Sequence, residues 1–274
     1  MASRAELYAE QSLEKHMCSP VRHGSGFSAV RSAVAVAKLL AAVFCLSGAT
    51  TASADTETTT TQDGFVAIFD GKTLDGWSVM PSTAKQAWKA EDGKIVGDGD
   101  LGRSYLQFDG NTKIADFELK FKYRFPKLRG NSGVNVRSIK DETGKRLFKS
   151  YHVDLGHVGI GDNVLGAWDF HTPGRKEHGV PRGKRLMIDE DDNATYSDLK
   201  DAIAVQEIKK GDWNDVHVIV KGNYYRFSIN RKPSAEFVEH LPPAKRLQKG
   251  AIQLQLHDPG MVVEFKDLLL KVIK

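Results

Sequence analysis

The feature that most constrains the fold is a strict alternation of apolar and polar residues in segment 116–125. Every second position is apolar, in the series Phe117, Leu119, Phe121, Tyr123 and Phe125, and charged residues stand between them. A period of two places all the apolar side chains on one face of a β-strand, so that one face is buried and the other exposed. The same period recurs along the chain, whereas the helical period of 3.6 does not dominate. We therefore expect a β protein.

Many short segments show the same pattern and are separated by turn-forming residues. Further strand candidates are 65–69, 88–90, 94–96, 105–108, 134–138, 151–155, 213–221, 224–229, 252–256 and 262–273. Hairpin-type spacing of this kind predicts a two-sheet antiparallel sandwich of the jelly-roll type. Segment 173–210 departs from the pattern: it is polar, carries an acidic run at 189–192, and we expect one short helix around 197–205.

The N-terminal part is predicted to be a signal peptide spanning residues 1–54. Arg31 and Lys38 precede the apolar run 39–46, and residues 52–54 (ASA) supply a small-x-small cleavage site; Met17 is an alternative start. The apolar run is about half of the roughly 20 residues needed to cross a bilayer. We expect a flexible linker over 55–63, a folded domain over 64–274, and a periplasmic or secreted protein with no stable membrane span after cleavage.

Charge and cysteine content exclude several classes of function. The chain has 274 residues and a formal net charge of +4 that is spread along it, so nothing argues for a nucleic-acid partner. Both cysteines, Cys18 and Cys45, precede the predicted domain. A cysteine-based zinc site, a disulfide framework and a cysteine nucleophile are therefore excluded for that domain.

Three predicted strands carry unusual polar residues where an outer face would normally hold lysine, glutamate or threonine. Alternation puts on such faces, strand by strand, Asn135 with Arg137, His152 with Asp154, and Gln253 and Gln255 with His257. If these strands share a sheet, the patch combines donors and acceptors that suit sugar hydroxyls. The alternative is an ordinary solvated face.

Two neighbouring segments complete the expected patch. Trp168 offers an apolar platform on which a pyranose ring could stack. Segment 129–133 (RGNSG) is expected to form a tight loop opening onto the same face, where Gly130 and Gly133 allow a sharp turn or a close approach to a ligand.

Several segments together resemble a known family. The matching segments are 64–77, 88–93, 116–119, 131–134 with 137–138, 211–214, 221–222 and 265–268, together with Asn230. They are similar to the 3-keto-disaccharide hydrolase family, long described as a domain of unknown function, over essentially residues 64–274. The resemblance implies a concanavalin-like jelly-roll sandwich, export, and cleavage of glycosides oxidised at C3. His157 departs from the pattern, since an acid is expected there.

The chemistry implied by this resemblance needs a base and an electrophile. A ketone at C3 acidifies the C2 hydrogen, so a base can remove it, the enolate is stabilised, and the C1 substituent leaves. We expect His152 or Asp154 to be the base and Arg137 to stabilise the enolate. His257 would protonate the leaving group or help to bind a divalent metal.

The remaining expectations concern binding and alternatives. The expected substrate-binding residues are Asn131, Ser132, Asn135, Trp168, Gln253 and Gln255. No cofactor is required by the sequence; a metal held by His152, Asp154 and His257 stays open, as does the oligomeric state. One alternative is a non-catalytic carbohydrate-binding sandwich, which uses the same polar face but needs no base. Another is a secreted scaffold domain, which needs neither a base nor a sugar-binding face.

Overall fold

The computed structural model describes residues 63–273. The strands are β1 (Val66–Ala67), β2 (Trp77–Met80), β3 (Trp88–Glu91), β4 (Lys94–Asp98), β5 (Ser104–Phe108), β6 (Phe117–Arg124), β7 (Asn131–Lys140), β8 (Phe148–Gly156), β9 (Trp168–His171), β10 (Lys184–Ile188), β11 (Ala194–Asp198), β12 (Asn214–Lys221), β13 (Tyr224–Ile229), β14 (Lys232–Glu239), β15 (Ala251–Leu256) and β16 (Val262–Val272). Short 3-10 turns occupy Ser82–Ala87, Gly99–Leu101, Val205–Glu207 and Pro243–Lys245. The predicted dominance of β structure is confirmed.

The strands form two sheets. The large sheet has ten strands in the order β11-β10-β14-β13-β12-β6-β16-β4-β3, with β1 also paired to β16. The small sheet has six strands in the order β2-β5-β15-β7-β8-β9. Neighbours are antiparallel except for β10 and β14, which run parallel. The predicted two-sheet sandwich is therefore confirmed, with one parallel pair that the pattern did not indicate.

The core consists of the alternating apolar residues that defined the sequence pattern. Leu119 and Phe121 of β6 are at most 2% exposed, and Val218 of β12 lies opposite Leu119. Val134 and Leu254 from the small sheet are fully buried in the same core. Burial of each such side chain contributes roughly 1.5–3 kcal/mol, so the inward faces hold the sheets together and leave the outer faces free for function.

Segment 173–210 differs from the expected polar insertion with one short helix. It contains the hairpin of β10 and β11, and the only helical turn in this segment is the 3-10 turn Val205–Glu207. Leu186 and Ile188 are buried because β10 extends the large sheet beside β14. The acidic run 189–192 forms the turn of this hairpin, so most of the segment belongs to the sandwich.

The predictions for residues 1–54 and 55–62 lie outside the described residues. Within residues 63–273, no helix has the length and apolar character needed to span a membrane.

Candidate functional site

The three strands that carry the unusual polar residues are neighbours in the small sheet, in the order β15-β7-β8. The registers of all six strands of the small sheet align one polar side chain from each strand in a row across the outer face. The row runs Ser78, Gln107, Gln253, Asn135, His152 and Asp169. We call the outward-facing side chains of the small sheet the polar face.

Unlike a solvated surface, the centre of the polar face is buried. Asn135 and Gln253 are fully buried and His152 is 1% exposed. Buried polar groups are costly unless they are hydrogen-bonded. Here they bond to one another: the Asn135 amide donates to Gln253 Oε1 at 3.0 Å, and His152 Nδ1 lies 2.7 Å from Asn135 Oδ1.

His152 and Asp154 form a buried acid–base pair on β8. His152 Nε2 lies 3.3 Å from Asp154 Oδ1. Burial raises the pKa of Asp154 to about 6, although His152 acts in the opposite direction. The ring of His171 stacks on that of His152, with centroids 5.0 Å apart and planes 21° from parallel. An imidazole and a carboxyl group this close together can serve as an acid–base pair.

Gly133 makes room for the His152 ring. It lies between Gln255 and Asp154 in the register of the small sheet, so the line of side chains has a gap at this position. A Cβ atom at residue 133 would come closer than 3.0 Å to Val153 O and to His152 Nε2. Gly133 lies within β7 and not in the predicted loop. Because it has no side chain, the imidazole of His152 can occupy the space above it.

Three buried polar atoms of this region have no hydrogen-bond partner. They are His152 Nε2, Gln255 Oε1 and Asn131 Oδ1. The approach of His152 Nε2 to Asp154 does not have hydrogen-bond geometry. Because an orphaned buried polar group is destabilising, such atoms indicate where a ligand supplies the missing partners.

A second histidine lies at the end of the polar face. His257 Nδ1 is 2.7 Å from Asp258 Oδ1, and its Nε2 is 2.5 Å from Arg103 Nη2. The hydrogen bond from His257 lowers the pKa of Asp258. The Asp258 carboxylate also accepts a hydrogen bond from the backbone N–H of Asn131 at 2.8 Å. Since arginine only donates, Nδ1 carries the proton of the neutral ring. An exposed guanidinium is thereby held at the polar face.

Arg103 was missed by the sequence interpretation, although a signal for it exists. Arg103 immediately precedes β5, and together with Tyr105 and Gln107 it alternates with apolar or small residues, which is the pattern that singled out the other three strands. The predicted strand began only at residue 105.

The expectation that Arg137 shares the polar face is wrong. Arg137 adopts a φ of 49° at a β-bulge, and the extra residue reverses the alternation. Its side chain is 3% exposed and donates to the carbonyl oxygens of Ala115 at 2.9 Å and Leu247 at 3.0 Å, and to Asp116 Oδ1 at 2.9 Å. The guanidinium is thus bound on the inner side of the sheet, away from His152.

Two predicted binding residues also point inward. Trp168 is fully buried, packs edge-on against Phe227 and Phe237, and donates to the Ala235 carbonyl at 3.2 Å. Ser132 is fully buried and donates to the Gln255 carbonyl at 2.6 Å. Neither side chain is placed to contact a sugar on the polar face, because both occupy core-facing positions of their strands.

An aromatic pair covers part of the polar face instead. Tyr105 of β5 and Phe148 of β8 both point outward, and their ring centroids are 5.3 Å apart in an edge-on arrangement. β15 and β7 lie between these two strands, so the aromatic pair connects the two sides of the polar face. Both side chains are partly exposed, so they offer apolar surface next to the site.

A groove of about 860 Å³ lies on the opposite side of the sandwich, on the outer face of the large sheet. Lys122 lines it and pairs with Asp267 at 2.8 Å. His217 also lines it and lies 2.8 Å from Glu118 Oε2. None of the atoms left without a partner in the described part of the chain belongs to these residues.

The structure also bears on whether His152, Asp154 and His257 could bind a metal ion. Within residues 63–273, no group of three or more His, Cys, Asp or Glu side chains is arranged to hold a metal ion. The trio of His152, Asp154 and His257 therefore does not form such a group.

Comparisons with known proteins support the sandwich fold and identify the family. The chain is 28% identical over 171 residues to a 3-keto-disaccharide hydrolase from Bacteroides thetaiotaomicron; the match covers 58% of this chain and 53% of that relative, so it spans about half of the relative's length. In fold, the chain is similar to the crystal structure of a proposed glycosyl hydrolase from Parabacteroides distasonis, with a TM-score of 0.51 and 18% identity over 79% of this chain and 99% of the other. Residues 64–271 match the family described as the 3-keto-alpha-glucoside-1,2-lyase-like domain. The chain belongs to this family.

Proposed function

We propose that this protein cleaves 3-keto glycosides, with His152 and Asp154 as the acid–base pair. The observation that carries the proposal is the unpartnered His152 Nε2, which is buried beside Asp154 and above the gap at Gly133. Family membership and a relative named as a 3-keto-disaccharide hydrolase support the choice of substrate class.

The first step is removal of the C2 proton. The lone pair of His152 Nε2 takes the proton, and the electrons of the C2–H bond move into an enolate with its negative charge on the C3 oxygen. Ionised Asp154, 3.3 Å away, stabilises the imidazolium that forms. The Arg103 guanidinium, held by His257, stabilises the enolate oxygen, the role expected of Arg137 from the sequence.

The second step breaks the glycosidic bond. The enolate electrons re-form the C3 carbonyl and a C1=C2 double bond as the C1–O bond breaks, and the leaving oxygen takes a proton from the His152–Asp154 pair. Addition of water across the double bond then completes a net hydrolysis. Both elimination and hydrolysis thus share the same first step, and product analysis distinguishes which one is released.

Substrate binding is assigned to the groups around this pair. The unpartnered oxygens of Gln255 and Asn131 accept hydrogen bonds from sugar hydroxyls, and Tyr105 with Phe148 packs against the apolar side of the ring. The signal peptide predicted from the sequence would place this activity outside the cytoplasm.

A pair of chromogenic substrates tests the proposal. The protein is incubated with 4-nitrophenyl 3-keto-glucoside and with the unoxidised glucoside, each with and without EDTA, and nitrophenolate release is followed. We expect release from the keto form alone. His152→Gln should lower kcat by about 10²- to 10⁴-fold, because a general base contributes an effect of this size.

The control is His217→Gln on the large sheet, which removes a histidine of comparable hydrogen bonding and should leave kcat unchanged. Equal release from both sugars, or full activity of His152→Gln, would contradict the proposal. Binding of the keto sugar without release would instead favour the non-catalytic carbohydrate-binding function. Loss of activity in EDTA would identify a metal-dependent reaction.

A further inference from the structure

A chain of side-chain hydrogen bonds crosses four strands of the small sheet and ends at His152. Gln107 Nε2 lies 3.3 Å from Asp109 Oδ1, and Gln253 Nε2 lies 3.0 Å from Gln107 Oε1. Asn135 Nδ2 lies 3.0 Å from Gln253 Oε1, and His152 Nδ1 lies 2.7 Å from Asn135 Oδ1. The outer end, Asp109, is exposed and Gln107 is partly buried, whereas Gln253, Asn135 and His152 are buried.

The Asp109 carboxylate gives this chain a direction. An ionised carboxylate only accepts hydrogen bonds, whereas each amide side chain has a donor end and an acceptor end. Gln107 must therefore turn its NH₂ group toward Asp109 and its oxygen toward Gln253, and each following amide must adopt the same sense. The last oxygen, Asn135 Oδ1, then requires a proton on His152 Nδ1.

Hydroxyl groups at two points are compatible with this orientation. Ser138 Oγ donates to Gln253 Oε1 at 2.7 Å, so two donors converge on this oxygen. Ser78 Oγ donates to Asp109 Oδ2 and holds the carboxylate at the edge of the row. Because a hydroxyl can also accept a hydrogen bond, the direction of the chain depends on the Asp109 carboxylate.

The opposite orientation of the side-chain amides would prevent His152 Nε2 from acting as the base. If every amide turned over, Asn135 would donate to Nδ1, and the proton of the neutral imidazole would move to Nε2. That proton would be 3.3 Å or less from the Asp154 carboxylate, whose negative charge favours a proton on Nε2 even without hydrogen-bond geometry. Asp154 and the amide chain therefore favour different tautomers, and the fixed charge at Asp109 decides between them.

We propose that Asp109 is a positioning residue that, through Gln107, Gln253 and Asn135, keeps the proton of His152 on Nδ1 and leaves the Nε2 lone pair free for the substrate. The tautomer itself follows from the hydrogen-bond chain alone. Its use in proton abstraction rests on the proposed function. Asp109 does not contact the reacting atoms, so its effect must pass along the chain of amides.

The experiment measures the tautomer directly. The full chain is labelled with ¹⁵N-histidine, and the His152 nitrogen shifts are assigned with His152→Gln and read where the imidazole is neutral. We expect Nδ1–H in the wild type and a change to Nε2–H, or a mixture of both, in Asp109→Asn, because an amide at this end can also donate. For the keto substrate, kcat should fall at least tenfold with KM within about twofold.

Two further variants separate positioning from a structural effect. Asp109→Glu keeps an acceptor-only end and should retain both the wild-type tautomer and most of kcat. Asp198→Asn, an exposed carboxylate on the large sheet, should change neither. If Asp109→Asn does not fold, Gln107→Met interrupts the same chain from β5 and should give a mixed tautomer.

The outcomes distinguish this inference from the proposed function. An unchanged Nδ1–H tautomer in folded Asp109→Asn, or Nε2–H in the wild type, overturns the inference even if the enzyme is active. A tautomer change in a protein that releases nothing from 3-keto glycosides supports the positioning role and contradicts only the proposed reaction.

Discussion

On the outer face of the large sheet, Lys122 and Asp267 pair at 2.8 Å beside a groove of about 860 Å³. On the outer face of the small sheet, His152 and Asp154 lie 3.3 Å apart, and both are almost fully buried. The first face pairs its charges next to solvent, where an ion pair contributes at most about 1 kcal/mol. The second leaves polar atoms buried without partners in the protein, at a cost that a bound ligand can offset.

We therefore locate the candidate site by the unpartnered polar atoms around its acid–base pair rather than by the size of a groove. A wide groove lined by paired charges needs nothing more to be stable. A buried histidine with one bonded and one unbonded nitrogen requires supporting groups, and the small sheet supplies them in the amide chain, in Gly133 and in the stacked His171. The following predictions test this contrast.

The largest effect is expected from Gly133→Ala. A methyl group at this position overlaps the Val153 carbonyl and the His152 ring, so the imidazole must leave its place. We expect kcat on a 3-keto glycoside to fall about 10³-fold or more, and overpacking to lower stability by about 1–3 kcal/mol. Steady-state kinetics and thermal unfolding measure both. Gly179→Ala is the matched control, since a Cβ there meets nothing within 4 Å; equal kinetics in the two variants would remove the role given to Gly133.

A smaller effect is expected from Arg103→Ala. Removal of a group that stabilises an oxyanion typically lowers kcat by about 10²- to 10³-fold, and the exposed position of Arg103 predicts little change in unfolding. The comparable change on the other face is Arg231→Ala, which lines the groove of the large sheet and should leave turnover unaltered. If both arginine variants kept full kcat, the enolate would have to be stabilised by another group.

The smallest effect concerns pH-dependent stability at Asp154. Burial raises the pKa of this carboxyl to about 6, above the unfolded value near 3.9, so the native state holds the extra proton between these pH values. Stability is therefore lost as pH rises through this window, by about 2–3 kcal/mol at most, and Asp154→Asn should remove that loss. Urea unfolding from pH 4 to 7.5 measures it.

Asp258→Asn provides a control of opposite sign. The hydrogen bond from His257 lowers the pKa of Asp258, so its ionised form adds stability above the unfolded pKa that is lost as pH falls. The variant should be less stable than the wild type at neutral pH and approach it in acid. Parallel curves for Asp154→Asn and the wild type would show that Asp154 titrates normally.

Much of the fold could be predicted because alternation is a local property. The predicted strand 224–229 coincides with β13, and segment 116–125 differs from β6 only at its ends. β9, the four-residue strand Trp168–His171, was not among the predicted strands, and Trp168 was therefore interpreted as a surface platform. β14 and the β10–β11 hairpin depend on pairing with each other, which a single stretch of sequence does not report.

Most residues of the candidate site could be predicted from the sequence, but the hydrogen bonds that connect them could not. The sequence indicated His152, Asp154, Asn135, Gln253, Gln255 and His257 as members of one polar face, and all of them lie there or at its end. The position of Arg137 depends on a non-glycine residue in the left-handed region, for which no sequence signal exists. The amide chain depends on the lateral register of strands distant in sequence, and so it could not be foreseen.

The strand order also sets when the site can exist during synthesis. β15 lies between β5 and β7, and its Gln253 joins Gln107 to Asn135. Until residues 251–256 have left the ribosome, β5 and β7 have no common neighbour and His152 has no link to Asp109. Such long-range pairing is slow to form. The nascent chain can pair β7 with β8 before that point, but it acquires His257 and the link from His152 to Asp109 only after β15 has been synthesised.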